Sequence, residues 1–379
     1  MALVLTDEQE LLKDSAVEFL NDKSPVTHMR EMRDTKDEVG FSRALWKEMA
    51  ELGWTGIIFP EEYGGAEMGY AELGVLLEES GRRLSPYPLL STIVLGGGAL
   101  MAGGSEEQRA KILPGVCAGD TLLTLAFQER GRFEPYYSEC TATASGSGYS
   151  ITGDKILVLD GHVADQLIVV ARTSGEVNDR EGLTLFLVAP DLEGVSIART
   201  IMVDSRNAAN ISFDNVEVDA GQVLGKVDAG ADVLDAVFDR ATAVQSAEMV
   251  GISCEVFERT IEYLKTRQQF GAPIGSFQGL KHRAAEMFCE IELAKSVVLD
   301  ALRAIDEGRP DASRVVSAAK ARVSDTASLV TREGIQMHGG IGMTDEEEVG
   351  LFLKRAKAAE LTFGDASFHR DRFASLMGF

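Results

Sequence analysis

Arg267-Gln268-Gln269-Phe270-Gly271-Ala272-Pro273-Ile274-Gly275-Ser276-Phe277-Gln278 ends one apolar-periodic run and opens another. Before it, Val233 to Lys265 keeps helical spacing for a length of about 50 Å at ~1.5 Å per residue, and Gly271 and Pro273 stop it. After it, Gln278–Asp306, Asp311–His338 and Asp345–Ala359 repeat the spacing with short loops between. Four long amphipathic segments joined this way predict an antiparallel four-helix bundle. A second turn, Gln336-Met337-His338-Gly339-Gly340-Ile341-Gly342, closes the third of them.

Upstream, the period drops from 3.6 to 2 between about Asp120 and Val218. Leu122–Phe127, Tyr149–Thr152, Leu167–Ala171, Leu183–Val188, Val195–Ile197 and Asn210–Phe213 read as strands, with Gly146-Ser147-Gly148 and Asn215 supplying turns. Many short strands with brief turns predict a small antiparallel barrel or sandwich, and no GxGxxG opens a helix after a strand. Further upstream the pattern is helical from Thr6 to about Cys117. Thr6-Asp7-Glu8-Gln9 reads as a capping box, Phe41–Leu52 and Ala71–Ser80 as helices, and Gly96–Gly98 as a site of close helix packing. The fold class is therefore α+β, mostly α. An N-terminal α-helical domain (1–118) precedes a middle β domain (119–226) and a C-terminal four-helix bundle (227–379).

The chain has 379 residues, 45% hydrophobic and 26% charged, an ordinary globular composition. Its net charge of −23 argues against nucleic acid or an anionic membrane as partner, because phosphate surfaces demand clustered cations. Cys117, Cys140, Cys254 and Cys289 show no CxxC spacing, so neither a metal site nor a disulfide framework is expected. The start, Met1 to Glu10, lacks the basic and long apolar regions of a signal peptide, and no stretch approaches the roughly 18 apolar residues of a membrane span. A cytoplasmic protein is expected.

Each of the two bundle turns has a bland reading. Arg267 complements the negative end of a helix dipole, and Gly339-Gly340 form a C-cap. Each also holds the parts that bind a bulky cofactor. A guanidinium, an aromatic face and an amide suit a diphosphate and a heteroaromatic ring, while paired glycines admit close backbone approach.

Taken together and in this order, the segments resemble the acyl-CoA dehydrogenase family of flavoproteins over essentially the whole chain. The resemblance is carried by Trp54–Gly65, Ala126-Phe127-Gln128-Glu129, Thr152-Gly153-Asp154-Lys155 with Ala164-Asp165, Arg267–Gln278, Gln336–Gly342 and Arg355-Ala356-Lys357. It implies FAD as cofactor. Ala126, Phe127, Gln128 and Glu129 would line the pyrimidine edge of the flavin through their backbone, and Leu157, Val158 and Leu159 would lie near N5. The family usually has an aromatic and a threonine in that second segment. Arg267, Phe270, Phe277 and Gln278 would hold the diphosphate and adenine side of an FAD bound mainly by a neighbouring subunit, with Gln336, Gly339 and Gly340 approaching the same cofactor. The resemblance further implies α,β-dehydrogenation of an acyl-CoA to the trans-2-enoyl-CoA and electron-transfer flavoprotein as acceptor. It also implies a homo-oligomer (dimer or dimer of dimers) or assembly with a related subunit.

The usual base of such a reaction is a glutamate before the glycine of a C-terminal loop. Counted from Arg355-Ala356-Lys357, that position is Phe363, which cannot take a proton. In some members the base lies on the first bundle helix, one residue before an arginine. Counted back from Arg267, that site is Ala241, with Thr242 in the arginine position. Three substitutes are expected as candidates. Asp239, followed by a substrate-facing Arg240, fits only after a two-residue slip, a turn of about 200°. Glu248 lies in the apolar run Ala247-Glu248-Met249-Val250, where a carboxylate is either paired or functional. Asp365 follows the lost site in a loop. The alternatives are a non-catalytic subunit of a hetero-oligomeric, steroid-side-chain-type enzyme, or a flavin oxidase or monooxygenase of the same superfamily.

Overall fold

The computed structural model of the chain describes residues 4–379. Helices α1 (Asp7–Lys23), α2 (Val26–Thr35), α3 (Arg43–Glu51) and α4 (Tyr70–Arg82) come first. A π-helix, Leu89–Gly97, then leads into α5 (Gly98–Gly103) and α6 (Glu106–Cys117). The strands follow as β1 (Leu123–Ala126), β2 (Thr141–Ser145), β3 (Gly148–Leu159), β4 (Gln166–Arg172), β5 (Leu183–Val188), β6 (Val195–Ile201), β7 (Asn207–Asp219) and β8 (Val223–Leu224). Helix α7 (Gly230–Thr266) ends in a small hairpin, β9 (Gln268–Gln269) and β10 (Ala272–Pro273). After it come α8 (Gln278–Asp306), α9 (Ala312–His338), α10 (Val349–Leu361) and α11 (Ala366–Leu376). The chain divides into two compact units. One comprises the segments up to Glu31, Tyr70–Ser85 and Thr242–Phe379; the other comprises Met32–Gly69 and Pro86–Ala241.

In the first unit, α1 starts at the capping box read from the sequence. Gln9 N donates to Thr6 Oγ1 at 3.2 Å, and Thr6 N donates to Gln9 Oε1 at 3.0 Å. Helix α4 has its first N–H groups capped from afar: Tyr70 N and Ala71 N donate to the Asp306 carboxylate at 2.7 and 2.9 Å. Within the bundle, α7 and α9 end side by side. Gly334 faces Val256 and Thr260, and the Tyr263 and His338 rings stack at 4.5 Å. Helix α10 runs antiparallel to α7. Arg259 bonds to Glu348 at 2.8 Å and lies over the Phe352 ring, while eleven residues earlier on α7 Glu248 meets Arg355. The four predicted bundle helices are present with ends shifted by a few residues.

A fifth helix, α11, stands where the sequence reading had only a loop. Asp365 is its N-cap, accepting from Phe368 N at 2.9 Å. Its eleven residues are too few, and too polar at Ser367, His369, Arg370 and Asp371, to show a clear apolar stripe.

In the second unit, the sheet runs β6-β7-β3-β2-β4-β5-β8, with β1 beside β4. The pairs are antiparallel except β1 with β4, and β2 with β4 through Thr141 and Arg172. Strand β2 escaped the sequence reading because its Thr-Ala alternation carries only a weak apolar signal. Gly146 makes the expected turn, at φ 55° between β2 and β3. Asn215 does not make a turn: it sits inside β7 at φ 51°, where the β3–β7 register shifts. Its left-handed backbone serves a β-bulge. The π-helix is buried throughout, and Gly96 brings it onto β1, where an added Cβ would lie 2.3 Å from Leu123 Cβ. The glycine run therefore packs a helix on a strand.

Candidate functional site

The first unit carries an exposed end and a buried interior that answer different chemical needs. Because α7 and α9 end together, the turns that follow them share one end of the bundle. At the tip of the β9–β10 hairpin, Phe270 (φ 52°) and Gly271 (φ 78°) make a tight turn that leaves the Phe270 ring 93% exposed. Arg267, Phe277 and Gln278 are exposed beside it in sequence, and no described residue pairs with the Arg267 guanidinium. Gln336 in the last turn of α9 and Gly339 and Gly340 just after it are exposed, with open space where Cβ atoms of the two glycines would stand. A free guanidinium, a bare aromatic ring, amides and an open backbone are a donor set that fits the diphosphate and ring system of a dinucleotide.

The interior centres on Phe363, which is 2% exposed and holds φ 59° ahead of Gly364 at φ 97°. A phenylalanine in the left-handed region is strained, and such strain persists only where the surroundings enforce it. Part of that enforcement comes from His369. Its Nε2 lies 2.9 Å from the Phe363 carbonyl, which can only accept, so Nε2 carries the proton. Burial, and next the charge of Lys320, push the His369 pKa down to about 3, so the ring is neutral.

Lys320 on α9 is fully buried. Its Nζ donates to Ala359 O at 2.5 Å and lies 3.7 Å from Met249 Sδ. It thereby ties the last turn of α10 to the α7 side of the bundle. Burial pushes its pKa down to about 7, although Glu248, Glu360 and Asp365 act in the opposite sense.

The pH dependence follows from that shift. Between about pH 7 and the unfolded value of 10.5 the unfolded chain holds the proton more tightly than the folded one, so stability rises with pH across that window. Lys320→Met removes this slope. Urea unfolding at pH 7 and pH 9.5 should show wild type gaining stability relative to the variant at the higher pH, and equal differences at both would refute the assignment.

The candidate carboxylates are separated by their surroundings. Glu248 on α7 pairs with Arg355 at 3.2 Å with both side chains 1% exposed, and Arg355 also donates to Ser85 O at 3.4 Å. Gly81 admits this arrangement, since an added Cβ there would lie 2.3 Å from Glu248 O. Asp365 spends one oxygen capping α11. Asp239 and Arg240 are half-buried on α7, in the second unit. Helix α7 is regular α-helix from Gly230 to Thr266, without the irregularity that a two-residue slip would need.

Also in the second unit, β3 has a second register shift between Lys155 and Val158, and Leu157 takes φ 53° within it. A left-handed leucine in a bulge re-aims the backbone, a device common beside binding sites. Opposite it, Ile156 N donates to Gln128 O at 2.8 Å. The Glu129 carboxylate is fully engaged: it accepts from Lys155 Nζ at 2.5 Å, Glu139 N at 2.6 Å, and Ser138 Oγ and Cys140 N, each at 3.1 Å. Glu129 therefore fixes the strand end from inside and leaves only backbone to face a ligand. The sequence reading missed the aromatic cluster after β1. Phe127 and Phe238 lie 4.7 Å apart, with Phe133 against both at 6.1 and 5.1 Å. Only the aromatic content of that stretch could have signalled it.

Among the described residues, no group of acidic, histidine and cysteine side chains has the geometry of a metal site, and no helix is long and apolar enough to cross a membrane.

Residues 6–120, 131–216 and 228–377 match the models described as acyl-CoA dehydrogenase, N-terminal domain, middle domain and C-terminal domain. The chain is 29% identical over 377 residues to the mitochondrial 2-methylacyl-CoA dehydrogenase of Solanum tuberosum, covering 97% of this chain and 90% of that protein. Among solved structures it is similar to a variant of the Tcur3481–Tcur3483 steroid ACAD, with a TM-score of 0.87, 31% identity and 98% of each chain covered. It is also similar to the ChsE4–ChsE5 complex of Mycobacterium tuberculosis, with a TM-score of 0.89 and 27% identity over 100% of this chain and 99% of that one.

Proposed function

Because the chain belongs to the acyl-CoA dehydrogenase family, we propose that it is an FAD-binding subunit for α,β-dehydrogenation of an acyl-CoA thioester, in a hetero-oligomer whose other chain supplies the proton-abstracting carboxylate. The observation that carries this reading is Phe363, a buried phenyl on a strained backbone at the position expected for the base. Two of the three substitute carboxylates have structural duties, Glu248 in its ion pair with Arg355 and Asp365 in its helix cap. The likeness to the ChsE4–ChsE5 complex supports assembly with a related subunit.

FAD supplies a hydride acceptor for the β-hydrogen. Arg267, Phe270, Phe277, Gln278, Gln336, Gly339 and Gly340 would hold its diphosphate and adenine side, and their exposure suits a cofactor shared with a neighbouring subunit. The backbone of Ala126, Phe127, Gln128 and Glu129 and the bulged Leu157-Val158-Leu159 would border the flavin ring. Phe363 fills the interior at the position expected for the base, and neutral His369 holds the carbonyl of that residue in place. An α-proton must be acidified by hydrogen bonds to the thioester oxygen before any carboxylate can remove it. Electron-transfer flavoprotein is the proposed acceptor.

A second reading keeps Asp239, half-buried one residue before Arg240, as the base of a stand-alone enzyme; the regular course of α7 counts against it, since no two-residue slip brings Asp239 to the expected site. Purification separates the two. The chain alone should show little acyl-CoA-dependent dye reduction and gain it with its related subunit. If the chain alone turns over, and Asp239→Asn abolishes turnover by about 10²-fold or more with the 450 nm flavin band retained, the second reading replaces the first.

A further inference from the structure

Gln245 on α7 is fully buried, and neither its amide nitrogen nor its amide oxygen has a hydrogen-bond partner among the described residues. Its polar neighbours on the helix are engaged: Ser246 Oγ donates to Thr242 O at 2.7 Å, and Glu248 Oε1 meets Arg355. A buried amide without partners destabilises a fold relative to an apolar side chain of its size, so its presence calls for a partner from outside the chain.

The helix geometry says where such a partner would lie. Gln245 is three residues before Glu248 and four before Met249, hence on the same face of α7 one turn earlier. That face meets α10, and the two helices run antiparallel through Arg259 with Glu348 and then Glu248 with Arg355. Met249 is linked through Lys320 to Ala359 O. With Glu248 level with Arg355, Gln245, three residues earlier on α7, stands at the level of the last turn of α10, which leads into the turn that holds Phe363. The cleft of about 390 Å³ lined by Ala71, Gly74, Ala247, Val250 and Leu302 lies against the opposite side of α7 and is a separate feature.

We propose that Gln245 is a specificity-determining residue whose amide hydrogen-bonds an oxygen function carried on the acyl group, so that this chain takes keto- or hydroxyacyl-CoA in preference to a plain hydrocarbon acyl-CoA. The inference rests on the reading that an acyl-CoA lies beside position 363. The amide NH₂ donates to a ketone or hydroxyl, and the amide oxygen accepts from a hydroxyl alone. A hydrocarbon chain leaves both amide atoms unpaired, and a site built to hydrogen-bond a ligand discriminates against the analogue that lacks the bond.

The test uses the FAD-loaded protein, together with the partner chain if one co-purifies. The probes are straight-chain acyl-CoAs of one length, either unsubstituted or carrying a ketone or a hydroxyl moved one carbon at a time. Binding is read from the flavin spectrum. One position of the oxygen should bind about 10–100-fold tighter than the unsubstituted chain. Gln245→Leu should bring that ratio to within about threefold without weakening the unsubstituted probe, and should raise the Tm of the ligand-free protein. Gln245→Asn, with a shorter reach, should move the preferred position along the chain. If the wild type binds all the acyl-CoAs equally, or if Gln245→Leu weakens all of them alike, the assignment of Gln245 is wrong while the dehydrogenase reading stands. If no acyl-CoA perturbs the bound flavin, the dehydrogenase reading itself fails and this inference with it.

Discussion

Phe363→Glu should raise acyl-CoA turnover by the chain alone about 10²–10⁴-fold, the range a positioned general base contributes. The backbone already holds the strained left-handed geometry there, so the glutamate inherits its position without a new turn being built. The anchor from His369 goes to the carbonyl of residue 363 and survives the change of side chain. Burial at 2% exposure would raise the pKa of the new carboxyl toward the working range of a base, and nearby Lys320 would temper that rise. Loss of a packed phenyl and burial of a carboxyl should together destabilise the protein by about 2–4 kcal/mol. The Tm should therefore fall as activity appears. Phe363→Gln is the control: similar shape, no base and no gain. A glutamate variant that binds FAD and acyl-CoA yet stays inactive would show that the reacting carbons lie elsewhere.

The second large effect concerns the Glu248–Arg355 pair. Two charges at 1% exposure are stable only together, because either alone is an uncompensated ion in a poorly solvating interior. Glu248→Ala or Arg355→Ala should each destabilise by about 3–5 kcal/mol in urea unfolding. Replacing both at once by Leu and Met should cost much less than the sum of the single changes, and a double-mutant cycle measures the coupling. The same variants address Glu248 as a base. A structural carboxylate leaves turnover per folded, flavin-loaded molecule unchanged in Glu248→Gln, whereas a base loses it. Single variants that lose under about 1 kcal/mol would mean the pair is better solvated than its burial indicates.

Much of this was legible in the sequence, and the limits have physical causes. Long amphipathic helices announce themselves by period, so α7 to α10 could be drawn from the chain alone. Strands β4 and β5 are continuous apolar runs buried on both faces and were equally plain. Strand β2 and helix α11 were not, one too weakly alternating and the other too short and polar. The capping box at Thr6 was readable because its logic is confined to four residues. Glu248 was narrowed to paired or functional, but its partner Arg355 is 107 positions away, and no local pattern points across that distance. Gln245 drew no notice, because a lone glutamine in a helix is ordinary until its surroundings are known to be dry.

The first compact unit is assembled from three separate stretches of chain, and roughly 150 residues of the other unit are synthesised between Ser85 and Thr242. Helix α4, whose Gly74 is shaped to receive Leu302, leaves the ribosome long before that leucine exists. At about 5–20 residues per second the 228 residues from Gly74 to Leu302 take about 11–46 s, and that part of the helix waits as long for its partner. During that interval the nascent chain resembles a client for a chaperone more than a folding domain. A fragment ending near Cys117 should accordingly be insoluble without one, however regular its helices look on paper.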